Sequence, residues 1–171
     1  LARYILLGQL SSGGTSLVYR AYDPELDRKV ALKLLRAAVG LSTAASLGRT
    51  RLLREAQALA KLRHPNIVTV YEVGEYGDEV FVAMEFVDGV TLRTWQFEHA
   101  RSWREVVRVY VAAGRGLAAA HAAGLVHRDF KPESSRFSLR TPSSRETPRI
   151  SSLEGVGGKI GCPGLTLLAP D

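Results

Sequence analysis

Short apolar runs separated by turn residues fill the beginning of the chain. Apolar and β-branched positions predict three strands, at residues 3–10, 17–21 and 29–35. The breaks between them carry turn-forming residues, Ser-Ser-Gly-Gly at 11–14 and Asp-Pro-Glu at 23–25. The pattern therefore predicts that the chain opens as a β-meander.

A helix and a second pair of strands follow this meander. Apolar residues recur at helical spacing over residues 49–62, and His-Pro-Asn at 64–66 ends the helix. The apolar positions are Leu52, Leu53, Ala56, Leu59, Ala60 and Leu62. Residues 67–73 and 79–85 then flank the turn-rich segment 74–78, which predicts an antiparallel hairpin.

After residue 88 the apolar spacing changes from strand to helix. Thr91 can cap a short helix, and Ser102 with Glu105 three residues later forms a capping box for a long alanine-rich helix. That helix is predicted to end near Gly124, and we expect His121, on its apolar sequence, to be packed in the core.

The composition changes again at residue 134. Ser, Pro, Gly, Arg and Thr dominate from there, without helical or strand periodicity until a short apolar stretch at 165–169. We therefore predict three segments, 1–88, 89–133 and 134–171, the last without a packed core of its own. Because the chain opens on Leu1 and its one methionine is Met84, we expect it to be a fragment.

Bulk properties exclude several classes of protein. The 171 residues are 46% hydrophobic, enough for a core, and no apolar run approaches the roughly 20 residues of a membrane-spanning helix. The net charge of +6 comes from 23 basic and 17 acidic side chains without clustering, which argues against nucleic-acid binding. The single Cys162 can form neither an internal disulfide nor a thiolate metal site. We predict a cytoplasmic location and no membrane segment.

Three features could carry chemistry, and each has a plainer alternative. The glycine-containing hairpin at 8–19 can bring backbone N–H groups close to phosphate oxygens, but it could be an ordinary turn. Lys33 lies in an apolar strand and needs a partner such as Glu55, although an edge-strand lysine could reach solvent instead. The third feature, at residues 127–133, puts Asp129 and Lys131 in a loop after a long helix. There they could orient a hydroxyl and neutralise a phosphoryl group, or form a charged helix exit.

In this order, the three features and the segments between them resemble the protein kinase family. The motifs that carry the resemblance are the glycine loop, Val-Ala-Leu-Lys at 30–33, Arg-Glu-Ala at 54–56, His-Pro-Asn-Ile-Val at 64–68, Met-Glu-Phe-Val at 84–87 and His-Arg-Asp at 127–129. Asp-Phe-Lys-Pro-Glu at 129–133 looks most like the bacterial serine/threonine branch, and a lysine two residues after the aspartate is the serine/threonine pattern. The match covers about residues 3–133.

The resemblance implies an α+β fold of the protein-kinase type, incomplete at its C-terminal side. Residues 1–88 would form an ATP-binding N-lobe with a five-stranded antiparallel sheet and one main helix. Residues 89–133 would begin the helical C-lobe and carry the catalytic loop. The implied activity is phosphoryl transfer from ATP with Mg²⁺ to Ser or Thr hydroxyls of a protein substrate.

The same resemblance assigns roles to individual positions. Leu10, Val18 and Ala31 would enclose the adenine, Met84 would stand behind it, and the backbone of Glu85 and Val87 would hydrogen-bond its edge. Lys33, held by Glu55, would bind the phosphates. Asp129 would be the catalytic base, Lys131 its helper on the phosphate side, and His127 structural. The loop over the phosphates would comprise Ser11, Ser12, Gly13, Gly14, Thr15 and Ser16.

The sequence departs from the kinase pattern in three places. Ser11 and Ser16 stand where the family has the first and third glycines of its loop, and Ser134 stands where it has a metal-binding asparagine. After Asp129 no Asp-Phe-Gly follows, so the chain itself could be an inactive nucleotide-binding pseudokinase or scaffold. The abrupt change after residue 133 also suggests a shifted reading frame.

Overall fold

The structure, a computed structural model, describes residues 1–13, 16–36, 43–127, 130–133, 135–137 and 160–161. Among these, only the backbone is described at residues 13, 36, 43–47, 137 and 160–161. The elements combine one main sheet with three helices in the described part of the chain, which confirms the predicted α+β class.

The main sheet has five antiparallel strands in the order β1-β2-β3-β5-β4. Their bounds are β1 Ile5–Gly13, β2 Ser16–Asp23, β3 Arg28–Arg36, β4 Val70–Tyr76 and β5 Glu79–Glu85. The predicted hairpin between β4 and β5 is present, and its two-residue connection places Gly77 at φ +59°, a left-handed conformation that glycine adopts without strain.

Alternation along β3 gives the sheet two different apolar faces. Val30, Leu32 and Leu34 belong to a cluster with Tyr4, Ala21, Phe81 and Ala83 on one face. Ala31 points to the other face, where it joins Val18, Val82 and Met84 in a cluster that includes residues of the first helix. Because side chains alternate across a strand, Lys33 lies on the same face as Ala31.

Three helices complete the described part of the chain. They are α1 Thr43–Lys61, α2 Leu92–Glu98 and α3 Trp103–Ala122. Helix α1 begins six residues before the predicted start at 49, because Ala44, Ala45 and Leu47 have high helix propensity and extend the amphipathic stretch. Gly48, which has low helix propensity, separates this extension from the predicted start.

The helix starts in the second half follow the predicted caps. Thr91 Oγ1 accepts a hydrogen bond from the Thr94 N–H at 3.0 Å and begins α2. Ser102 and Glu105 form both bonds of the capping box at the start of α3. The expectation of a core histidine at 121 was wrong: His121 is exposed, because it lies on the outer side of the last turn of α3.

A smaller sheet connects residues 136–137 to the linker, residues 86–91, between β5 and α2. Its strands are β6 Val90–Thr91, β7 Arg136–Phe137 and β8 Ile160–Gly161, in that order. None of the helices in the described ranges is long and apolar enough to cross a membrane.

Candidate functional site

An apolar cavity of about 250 Å³ lies beside the last strand of the main sheet and the linker that follows it. Its wall is formed by Leu10, Ser11, Val18, Ala31, Val68, Met84, Glu85, Phe86, Val87, Thr91, Lys131, Glu133 and Arg136. The register of the sheet explains part of this wall, because Ala31 pairs with Met84 across β3 and β5. Residues from both halves of the described chain therefore meet at one cavity.

The first hairpin contributes the wall of the cavity on the glycine-loop side. The pairing of β1 with β2 is irregular between Gln9 and Ser11, so Leu10 lies at a bulge, and a bulge re-aims the side chain that it carries. Leu10 and Ser11 line the cavity, whereas Ser12 and Ser16 are not among its lining residues. Gly13 ends β1, and Gly14 and Thr15 lie outside the described residues.

The linker is fixed on its sheet side by contacts to the end of the preceding loop. The Glu85 N–H donates to the carbonyl of Thr69 at 2.8 Å, and the Thr69 N–H donates to the Glu85 carboxylate at 3.3 Å. Val87 is buried, and its carbonyl accepts a hydrogen bond from Arg136 Nε at 3.2 Å. The backbone of Glu85 and Val87, which the resemblance assigns to the adenine edge, is thus hydrogen-bonded to the segments beside it.

Lys33 and Glu55 are both buried, at 5% and 7% exposure. Lys33 lies two residues beyond Ala31 on β3, about 7 Å along the strand, and is not among the cavity-lining residues. The Glu55 carboxylate accepts a hydrogen bond from Arg51 Nε, one turn earlier on α1, at 3.1 Å. The Lys33–Glu55 ion pair therefore stays a prediction.

The loop at residues 130–133 is attached to the first turn of α2, together with Ser135. The Leu92 N–H donates to the carbonyl of Ser135 at 2.8 Å, and the Arg93 N–H donates to that of Pro132 at 3.2 Å. These bonds use two N–H groups that a helix N-terminus leaves without intrahelical partners. Ser135 in turn donates from its backbone and its hydroxyl to the Lys131 carbonyl. Lys131 thus comes to line the cavity, whereas Asp129 lies outside the described residues.

Two charged side chains reinforce the attachment of the loop. Arg93 Nη1 and the Glu133 carboxylate form an ion pair at 2.8 Å. The backbone N–H of Glu133 and the Arg93 guanidinium hold the pKa of the Glu133 carboxyl below its usual range. Glu133 is therefore ionised at neutral pH, at the edge of the cavity.

His127 and Phe130 anchor the loop from the other side. His127 is 3% exposed, and its ring meets the ring of Phe130 edge to face, with centroids 5.8 Å apart. Phe130 packs in turn against the cluster of Leu92, Trp95 and Val109. A structural role, which the resemblance predicts for His127, requires such burial.

Sequence reasoning did not include five of the cavity residues. They are Val68, Phe86, Thr91, Glu133 and Arg136. Val68 and Phe86 lie inside motifs that carried the resemblance, and Thr91 was singled out as a cap, so their neighbourhood was visible in the sequence. Arg136 had no sequence signal, because only the pairing of β6 with β7 brings it to the linker.

The described side chains around the cavity suit a nucleobase better than they suit a metal ion. An apolar wall beside a backbone linker suits a flat heterocycle. Within the described ranges, no three His, Cys, Asp or Glu side chains gather where they could hold a metal ion. Ser134, at the position of the family's metal-binding asparagine, lies outside those ranges.

Comparisons with known proteins agree with this geometry. The sequence profile of the protein kinase domain matches residues 4–134. Serine/threonine-protein kinase PknL of Mycobacterium bovis is 45% identical over 133 residues, covering 77% of this chain and 33% of the relative. Serine/threonine-protein kinase PknF of Mycobacterium tuberculosis is 37% identical over 169 residues, covering 96% of this chain and 34% of the relative.

A solved structure supports the same assignment. The PknI kinase domain of Mycobacterium tuberculosis superposes with a TM-score of 0.68 and 26% identity, covering 96% of this chain and 60% of that chain. The chain spans about a third of the length of the curated relatives named above, 33% and 34%. With the profile matched over most of its length, the chain belongs to the protein kinase domain family.

Proposed function

We propose that the chain is the ATP-binding and catalytic-loop part of a serine/threonine protein kinase, which transfers the γ-phosphoryl group of Mg-ATP to Ser or Thr hydroxyls of protein substrates. Support comes above all from the cavity, where Leu10, Val18 and Ala31 of the sheet meet Lys131 of the catalytic loop. Its relatives carry the name of serine/threonine kinases. We further propose a cytoplasmic location, where ATP is available, and a division into an N-lobe at 1–88, a C-lobe start at 89–133 and a tail at 134–171.

In this proposal the side chains divide the work of binding and transfer. The adenine lies between the apolar side chains of the cavity, with its edge toward the backbone of Glu85 and Val87. Lys33 lies farther along the same face of β3, where a buried ammonium group can reach the phosphates. Asp129 accepts the proton of the substrate hydroxyl, and Lys131 stabilises charge on the transferred group.

Nucleotide binding is tested by replacing Lys33. We expect K33M to weaken ATP binding roughly tenfold or more in calorimetric titration, because a charged hydrogen bond to phosphate is lost. K29M is the matched control, since Lys29 lies on the same strand with an exposed side chain. Unchanged ATP affinity in K33M would refute the role of Lys33.

Phosphoryl transfer requires a separate measurement. With radiolabelled ATP and Mg²⁺, we expect label on Ser or Thr of the chain or of an added protein, and loss of that label in D129N. Labelling that survives both K33M and D129N would show that this site does not perform the transfer.

A nucleotide-binding module without catalysis is the second candidate function. It is favoured by Ser134 in place of the family's metal-binding asparagine. Such a module would bind ATP equally well with and without Mg²⁺ and would transfer no phosphate. Measuring binding and labelling on one preparation separates the two functions.

A further inference from the structure

Arg136 places a cation in the wall of an otherwise largely apolar cavity. Its Nε donates a hydrogen bond to the carbonyl of Val87 at 3.2 Å, and its Nη2 donates to the carbonyl of Gly89. Both carbonyls belong to the linker between the main sheet and α2. The guanidinium group therefore covers the linker on the side that faces the cavity.

The backbone around Arg136 fixes the position from which this side chain extends. Thr91 pairs with Arg136 and Val90 with Phe137 in the small sheet. The Leu92 N–H also donates to the carbonyl of Ser135 at 2.8 Å. A planar guanidinium bonded to two carbonyls keeps few alternative orientations. The side chain is thus held against the linker by its own bonds and by its strand.

The size of the cavity is consistent with partial filling by this side chain. Its volume of about 250 Å³ lies just under the range of small-molecule sites, roughly 300–1,000 Å³. A base that enters must pack against the guanidinium or displace it. Displacement breaks two hydrogen bonds to carbonyls, one of them that of the buried Val87, and a buried carbonyl left without a partner is unfavourable.

We propose that Arg136 limits purine binding at this site, by occupying the space beside the linker and engaging the carbonyls of Val87 and Gly89. This inference rests on the proposed function, because it concerns the nucleotide cavity. It identifies a specificity-determining residue outside every motif that defined the cavity in the sequence. Replacing Arg136 with a smaller apolar side chain opens the cavity to the base.

The experiment compares adenosine binding by the natural chain with binding by R136L and R136K. Adenosine is the probe because it has no phosphate, so the loss of a positive charge cannot weaken binding through the phosphates. R101L is the matched control: Arg101 Nε also donates to a main-chain carbonyl, that of Trp95 at 3.3 Å, but Arg101 does not line the cavity. Thermal unfolding of each variant establishes that it is folded.

We expect R136L to bind adenosine about tenfold or more tightly than the natural chain does, and R101L to bind like the natural chain. R136K keeps the charge but cannot bond both carbonyls in the fork geometry, so its affinity should lie between the two. Equal or weaker adenosine binding by R136L overturns the inference and leaves the nucleotide site itself intact. Absence of adenosine binding in all four proteins overturns nucleotide binding, and the inference with it.

A second readout follows Arg136 directly. In the natural chain, the NMR resonance of the Arg136 Nε–H should shift when adenosine is added, because its bond to the Val87 carbonyl is broken or altered. R136K, which lacks this group, assigns the resonance. A resonance that stays unchanged while adenosine saturates the chain overturns the inference.

Discussion

Asp23 is a fully buried carboxylate at the turn between β2 and β3. Arg3 Nε lies 3.2 Å from one of its oxygens and Arg28 Nε lies 3.7 Å from the other. Burial raises the pKa of Asp23, but the hydrogen bond and charge of Arg3 and the N–H groups of Glu25 and Leu26 outweigh it, so the pKa is lowered. The turn therefore depends on an ionised carboxylate.

This lowered pKa predicts a stability that depends on acid. A carboxyl whose pKa is lower in the folded state than in the unfolded state stabilises the fold. This contribution is fully present above the ordinary pKa of 3.8, and it is lost as the pH falls through the pKa of the folded state. We expect D23N to lower the midpoint of thermal unfolding at pH 7 and to flatten its pH dependence below about pH 4. The measurement is thermal unfolding followed by circular dichroism from pH 2 to pH 7.

D78N is the matched control for this substitution. Asp78 is fully exposed, and its carboxylate lies 3.7 Å from Arg49 Nη1. Screening by water makes this ion pair weak. Its replacement should leave the pH profile close to that of the natural chain. If D23N and D78N gave the same profile, the network around Asp23 would not be the source of the acid sensitivity.

Helix α3 lies unusually close to the connection between α1 and β4. A Cβ on Gly116 would stand 2.9 Å from the carbonyl oxygen of Asn66 and 3.3 Å from a side-chain carbon of Ile67. Two residues earlier, Gly114 has nothing within 4 Å of the same imagined atom. Both glycines lie in α3, but only at Gly116 does packing leave no room for a side chain.

These two glycines give a matched pair of substitutions. We expect G114A to stabilise the chain by up to about 1 kcal/mol, because alanine has the higher helix propensity. G116A should gain the same propensity but lose about 1–3 kcal/mol by overpacking against Asn66, for a net loss of stability. Urea unfolding of both variants measures the difference. A G116A variant as stable as G114A would mean that the helix and the connection separate at little cost.

The elements that local chemistry determines could be predicted from the sequence. The β4–β5 hairpin and the capping box of Ser102 and Glu105 depend on neighbouring residues, and both are present. The early start of α1 was missed because Gly48, a residue of low helix propensity, precedes the predicted start at 49. The exposure of His121 was missed because the expectation rested on the apolar composition of α3, whereas the buried face of this helix runs through Val109, Ala113, Gly116 and Ala120 and leaves His121 outside it.

For the cavity, the sequence could predict the residues that lie inside kinase motifs, including Leu10, Val18 and Met84. It could not predict Arg136, since nothing in the local sequence shows that β7 pairs with β6 across more than forty intervening residues. Nor could it predict that the first turn of α2 would bind the carbonyls of Pro132 and Ser135. Such contacts depend on the way distant segments meet.

One apolar cluster crosses the described part of the molecule from the sheet to the end of α3. It contains Val18 and Met84 of the sheet, Ala56 of α1, and Ala120 and Leu125 at the end of α3. Several of its members also line the cavity. A continuous cluster of this kind couples the stability of the elements that it joins, and that coupling reaches the cavity.

Leu125 is the position at which this coupling can be tested. It is 6% exposed, and L125A should cost about 2–5 kcal/mol because it leaves a cavity in the shared cluster. Both tryptophans, Trp95 and Trp103, lie in helices α2 and α3, so their fluorescence follows the helical part, whereas hydrogen exchange of β3 and β5 amides follows the sheet. If the cluster unites the molecule, L125A lowers both measures of stability by the same amount.

The control is L26A, at a position that is 57% exposed, and it should change neither measure. A loss confined to the fluorescence signal would show that the sheet and the helices unfold independently, and the cluster would then be a contact between two separate units.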